Sequence, residues 1–258
     1  MAGSFGPFAV MAYRQLRRFV RTRARVLASI INPIIWIVFF GLGWANAFNF
    51  PMAKAIFGGV DYLTFLTPGV TAMAVFTASF IGGVTVLWDK QFGFLKEVLV
   101  APASRASIIL GRIVGDSIVA LIQGLAILAL SFTIAHSLRP WGVLPATVYA
   151  FILALGFTSA GVVLALKITS MEGFQMVITL LMMPLLFLSG AFYPIKFMPG
   201  WMKWLAYINP LTYAVDGMRH YLAGVSTFAP LTDLAVLSAV TAALMGAAAW
   251  LFRRATID

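Results

Sequence analysis

Of 258 residues, 62% are hydrophobic and only 10% are charged, against roughly 45–50% and about 25% in a soluble domain. So few charges cannot clothe a globule in water, which excludes an ordinary soluble protein and makes the bilayer the solvent for most of the chain. Eighteen Lys and Arg against eight Asp and Glu give a net charge of +10, which in such a chain bears on membrane orientation and anionic lipid rather than on nucleic acid.

The chain opens with Arg14, Arg17, Arg18, Arg21, Arg23 and Arg25. All but Arg23 fall within an arc of about 100° on a helix, with Ala12, Leu16, Phe19 and Val20 on the other side. The pattern predicts an amphipathic helix over 1–25 lying on the inner leaflet. A signal peptide or a basic arm fits less well, because a long apolar stretch follows with no clean small-residue cleavage site.

Six apolar stretches come next, near 26–48, 62–88, 107–135, 143–167, 172–193 and 231–252, each long enough to cross about 30 Å of hydrocarbon. They predict six transmembrane helices in one membrane domain covering 1–258. With the N-terminus inside, thirteen of the eighteen basic residues fall in inner segments. That asymmetry predicts a multi-pass protein of the cytoplasmic membrane with both termini cytoplasmic.

The loop after the second span, Trp88 to Arg105, carries an apolar set, Phe94, Leu95, Val98 and Leu99, flanked by Lys96, Glu97 and Arg105. A solvated loop has no need of that set. Its spacing predicts a short amphipathic helix over 88–106, able to rest on the membrane or to dock in a partner's groove. In the third span Arg112 and Asp116 are four apart and can pair. Their place near the cytoplasmic end favours a structural pair, with Arg112 snorkelling, over a functional one.

Two weakly polar stripes suggest a substrate path. The second span places Thr64, Thr67, Thr71, Ser79 and Thr85 on one face, and the fifth places Gln175, Thr179, Met182, Ser189 and Tyr193 on another. Thr67, Thr71, Gln175, Thr179, Met182, Met183 and Phe187 are the cavity candidates, the methionines suiting a tolerant apolar wall. Hydroxyl and small residues equally serve helix packing in lipid, and for any single one of them packing is the favoured reading.

The stretch from Tyr193 to Pro230 is too interrupted to span. Trp201, Trp204, Leu205 and Ile208 recur at i, i+3, i+4 and i+7, predicting a short membrane-resting helix that Asn209-Pro210 ends, with a second short helix over about 211–222.

The motifs of catalysis are missing from the sequence. There is no G-x-x-x-x-G-K-[ST] to cradle a nucleotide and no H-E-x-x-H to hold zinc. Cysteine is absent, and His136 and His220 are too few and too far apart in sequence to suggest a metal site. Asp116 is taken as the one buried aspartate, which leaves an aspartyl pair incomplete. A transport role without catalytic or metal-binding residues is the reading that remains.

The inner loop, the segment Ser107 to Gln123, and FLSGAFYPIKFMPGWMKWLAYINPLTYAVDGMR from Phe187 to Arg219 resemble the type-2 ABC transporter permease family. The arginine-rich start running into Asn32-Pro33 is similar to its drug and lipo-oligosaccharide exporter branch. A departure is Lys90-Gln91, where the family pattern leads one to expect an arginine and a glutamate. The resemblance implies an all-α membrane subunit that assembles as a homodimer or close heterodimer, each copy bound to a separate nucleotide-binding ATPase subunit that holds ATP and Mg²⁺. It implies a coupling helix in the loop between spans two and three, and short re-entrant helices over 194–230. It also implies a cavity between two copies, lined largely by spans two and five. The expected substrate is a hydrophobic or amphipathic molecule moved outward; export of a lipid-linked saccharide, or a channel or passive scaffold without an ATPase, are the alternatives.

The charge asymmetry has a direct check. Single cysteines at Lys54, Arg139 and Lys203 should react with an impermeant maleimide in intact cells, whereas cysteines at Lys96 and Arg254 should react only after permeabilisation.

Overall fold

A computed structural model describes residues 5–22, 27, 31, 34–35, 37–43, 51–93 and 104–254. Among them the chain is helical with no strand: α1 (Phe5–Arg21), a π-helical turn (Ile37–Leu42), α2 (Pro51–Ile56), α3 (Tyr62–Gln91), α4 (Arg105–Ser131), α5 (Val143–Lys167), α6 (Met171–Phe187), α7 (Gly200–Ile208), α8 (Pro210–Ala223) and α9 (Pro230–Arg254). Four segments are long and apolar enough to cross a membrane: Tyr62–Gln91, Arg105–Ser131, Pro140–Lys167 and Pro230–Arg254. They match the second, third, fourth and sixth predicted spans. The fifth is an apolar helix of 17 residues. It ends at Phe187 rather than Tyr193, because Gly190 takes φ 74° and turns the chain. Most of the first stretch, Asn32-Pro33 included, lies outside the described residues.

Local chemistry starts the helices where they start. Asp61 caps α3, its Oδ2 accepting the Thr64 backbone N–H at 3.0 Å, and Ser170 caps α6 by accepting from Gly173 N at 3.1 Å. Asn209 caps α8 by accepting from Leu211 N at 3.0 Å, while its Nδ2 donates to Leu185 O at 2.6 Å. One side chain therefore separates α7 from α8 and ties that corner to the end of α6. Tyr213 Oη reaches back to Tyr207 O at 2.6 Å across the same corner.

The bundle is organised around α3, which packs on α4, α5 and α8 and buries most of its length. Its crossing with α5 is set by glycine: a Cβ at Gly83 would fall 2.5 Å from the Gly161 backbone, so the two helices meet main chain to main chain. Helix α9 closes the other side of α5, where Thr241 Oγ1 donates to Ile152 O at 3.1 Å.

Helix α1 is amphipathic as predicted, but its apolar face lies on protein. Met11, Gln15 and Phe19 are buried against α4, and Val20 is exposed. The docking surface is Gly111-x-x-x-Gly115, where added Cβ atoms would collide with Phe8 O and with Ala12 Cα. The arginine side is correspondingly turned: Arg14 and Arg18 reach Asp89 instead of pointing wholly to headgroups.

Gly111→Leu should lift α1 off α4, since overpacking costs about 1–3 kcal/mol. Limited trypsinolysis in detergent should then cut at Arg17 or Arg21 several-fold faster than in the wild type, with α4 to α9 still folded by circular dichroism.

Candidate functional site

At the end of α3 a guanidinium is almost sealed from water. Arg112 is 3% exposed. Its Nη1 donates to Asp89 Oδ2 at 2.5 Å and its Nη2 to Thr85 Oγ1 at 2.8 Å. Asp89 also lies 3.5 Å from Arg14 Nη1 and 3.9 Å from Arg18 Nη1. The predicted Arg112–Asp116 pair is present only as a 3.9 Å contact, so the dominant partner is Asp89. Arg112 does not snorkel, because it is held between α3 and α4. Asp89 was missed because the sequence suggested a loop from Trp88, whereas α3 continues to Gln91 and turns Asp89 inward, one helical turn after Thr85. Nor is Asp116 the one buried aspartate: Asp89, Asp216 and Asp233 are buried as well. Asp89 and Asp116 both face Arg112, a charge-compensated arrangement rather than two carboxyls sharing a proton.

Both ends of the 92–104 connection are fastened. Lys90 Nζ donates to Leu166 O at 3.3 Å in the last turn of α5, and Gln91 Nε2 to Thr169 O at 3.2 Å in the link that follows it. Arg105 Nη1 donates to Arg253 O at 3.1 Å at the end of α9. The Lys90 and Arg105 bonds are capping contacts to carbonyls that a helix end leaves unpaired. They give Lys90 and Gln91, the departure from the family pattern, a definite task. Of the predicted docking set, Phe94, Leu95, Lys96, Glu97, Val98 and Leu99 lie outside the described residues, and Arg105 sits at the seam just described.

The two polar stripes are not brought together. Thr67 and Thr71 are buried inside the single bundle, donating to Leu63 O and Thr67 O, each at 2.9 Å. Thr71 Cγ2 faces Gly124 of α4. Along α3, Thr67 and Thr71 serve packing between helices, and Thr85 serves Arg112. On α6 the stripe faces outward: Gln175, Thr179, Met183 and Phe187 are exposed and Met182 is half-buried, with Thr179 Oγ1 donating to Gln175 O at 2.9 Å. The tryptophans of α7, Trp201 and Trp204, are exposed on one face with Leu205 and Ile208.

At the opposite end of α3, Arg219 of α8 is 3% exposed. Its Nε donates to Phe65 O at 3.1 Å, and its Nη2 to Gly190 O at 2.9 Å and Ala191 O at 3.2 Å. The guanidinium carbon stacks 3.8 Å from the centre of the Phe65 ring. One side chain thus joins α3, the turn after α6 and α8. Burial pulls its pKa down to about 10, with Asp216 acting the other way, so it stays cationic at neutral pH. No sequence signal singled it out: it falls in the short helix expected over about 211–222 and counts there only as one of the basic residues of the outer segments.

A bundle of apolar spanning helices pinned at each end by a buried arginine defines an all-α integral membrane protein. The ABC-2 type transporter family model matches residues 7–222, and the chain belongs to that family. It is 30% identical over 208 residues to a Cyanophora paradoxa protein named as a transport permease, ycf38, covering 79% of this chain and 70% of the relative. It is 24% identical over 226 residues to the inner membrane transport permease YadH of Escherichia coli K12, covering 87% and 86%. A third relative is nodulation protein J of Rhizobium meliloti, 26% identical over 204 residues and covering 78% and 75%. Family and relatives indicate a membrane transport permease subunit, and the family implies an ATP-binding partner in general terms.

Removing the counter-charge of Arg112 should be costly, because a buried pair broken on one side typically loses about 3–5 kcal/mol. Asp89→Asn should therefore lower the melting temperature in detergent well below that of Asp116→Asn. Equal losses in the two variants would mean that Asp89 is not the principal partner.

Proposed function

We propose that the chain is the membrane subunit of an ATP-driven exporter that moves a hydrophobic or amphipathic molecule out of the cytoplasm or inner leaflet. It works with a separate nucleotide-binding ATPase subunit, which holds ATP and Mg²⁺, and pairs with a second copy of itself. The observation that carries this reading is the fastening of both flanks of the 92–104 connection to the bundle. A force applied to that loop enters α3 through Asp89, Lys90 and Gln91 and enters α4 through Arg105, and from there reaches α1, α5 and α9. A connection resting idly between two helices needs no such seam; a transmission element does.

The substrate path in this reading belongs to α6. Its exposed face mixes Gln175 and Thr179 with Met183 and Phe187, which suits an amphipathic ligand once a second copy covers it. Thr67 and Thr71, engaged inside one chain, support the wall rather than line it. The sequence has no phosphate-cradling loop of its own, in keeping with hydrolysis in the partner.

The loop supplies the test. Its apolar residues are anchors, and truncating anchors at an interface centre costs about 2 kcal/mol or more each, whereas rim charges act on encounter and salt dependence. Leu95→Ala with Val98→Ala should release the ATPase subunit during purification, while Glu97→Ala should keep the complex but separate ATP hydrolysis from substrate. Full co-purification and normal transport by the double variant would remove this loop from the mechanism.

A further inference from the structure

Arg219 presents an unbalanced charge. Its Nε and Nη2 are spent on three carbonyl oxygens, whereas Nη1 has no hydrogen-bond partner among the described residues. No carboxylate among those residues approaches it within the 4.0 Å of an ion pair. A cation so withdrawn from water ordinarily has a counter-ion, because carbonyl dipoles and a ring face offset only part of its desolvation. Arg112, equally buried at the far end of α3, has Asp89. Arg219 has a cavity.

That cavity holds about 120 Å³ and is lined by Phe65 and Arg219 below, with Lys196, Ser226 and Thr227 among the residues at its rim. The floor is buried and the rim exposed, so it is a socket open at one side. Its volume far exceeds the roughly 10–15 Å³ that one water needs. Asp216 also lines it, but its carboxylate is occupied, accepting from Thr227 N at 2.8 and 2.9 Å and from Phe228 N at 2.8 Å. Two cations against one hydrogen-bonded carboxylate leave the socket net positive, and the Ser226 hydroxyl, 3.1 Å from His220 Nδ1, adds a neutral donor in the tautomer whose Nδ1–H donates to it.

We propose that this socket binds a phosphate group, held between Arg219 and Lys196 with Ser226 completing the donors. A guanidinium edge and an ammonium are the pair best matched to a tetrahedral dianion or diester. The socket lies where α3, α8 and the turn after α6 meet, at an end of the bundle, so a phospholipid headgroup can reach it without burying its chains in protein. The bound anion would give Arg219 a directly paired counter-charge, which Asp216, bonded to Thr227 and Phe228, does not, and would tie the junction more firmly.

The experiment uses the purified full chain, delipidated in detergent, with melting followed by tryptophan fluorescence. Phosphatidylglycerol in mixed micelles, inorganic phosphate, and diacylglycerol as the phosphate-free lipid are titrated at matched ionic strength in chloride. The phosphate-bearing ligands should raise the melting temperature by several degrees and diacylglycerol should not. Protection by phosphatidylglycerol alone assigns the group to a lipid headgroup; protection by inorganic phosphate as well shows that the phosphate suffices. Lys196→Gln changes an exposed residue and so keeps the fold, yet should weaken the protection about tenfold, the loss expected of one charge-assisted bond. Arg219→Lys, which keeps the charge but loses the planar fork, should weaken it further. The proposal is overturned if diacylglycerol protects as well as phosphatidylglycerol, if no ligand shifts melting in the wild type, or if Lys196→Gln responds as the wild type does.

Discussion

A guanidinium withdrawn from water must find its hydrogen bonds and its charge balance within the protein, and α3 is held between two of them. At one end Arg112 is bonded to Asp89 and Thr85; at the other Arg219 is bonded to Phe65 O and to the turn after α6. Phe65 and Asp89 are separated by about 36 Å of helix at 1.5 Å per residue, more than the hydrocarbon thickness. The two fixed points are therefore far enough apart to stand on either side of an apolar layer of that thickness, each charge paired or bonded to carbonyls inside the bundle. Between them no polar glue is needed, and α3 meets α5 through Gly83 and Gly161.

The consequence for function follows from what each fixed point gathers. Around Asp89, α1, the end of α3 and the start of α4 converge, with Lys90 and Arg105 closing the ends of α5 and α9 and Gln91 holding the link after α5. Around Arg219 the start of α3, the end of α6 and the short helix α8 converge. Helix α6, which packs only lightly on the bundle, against α3, and shows an exposed mixed face, is held near this second junction by Asn209 at Leu185 O. In the proposed exporter, motion delivered at the first junction would travel along a stiff α3 to the second, where the exposed helix is attached.

Much of the fold was legible because its causes are local. Apolar runs, the i, i+3, i+4, i+7 aromatic spacing of Trp201 to Ile208 and the Asn209-Pro210 corner foretold four spans and the helices α7 and α8. Residues whose partners lie far away in sequence were not legible. Asp89 read as a loop acid because its partner Arg112 is on another helix, and Arg219 read as one more outer charge on a short helix because its acceptors are carbonyls, which leave no mark in a sequence. The threonine stripe of α3 was visible as a stripe, but whether a hydroxyl faces a ligand or a neighbouring glycine depends on packing. Thr71 faces Gly124. The arginine side of α1 was legible as a face, but the docking of its other side on α4 was not, since the Gly111 and Gly115 groove that receives the helix is a hundred residues away.

The central claim is that the ends of α3 and α5 move as one body when the ATP-binding partner drives transport. Because the chain has no cysteine, a single pair introduced at Gln91 and Thr169 can be joined by a short bis-maleimide in the reconstituted complex. If the junction is the rigid transmission element, the cross-linked protein should transport at the rate of the unlinked pair. Transport that stops on cross-linking would show that these helix ends must separate during the cycle, and would contradict the claim.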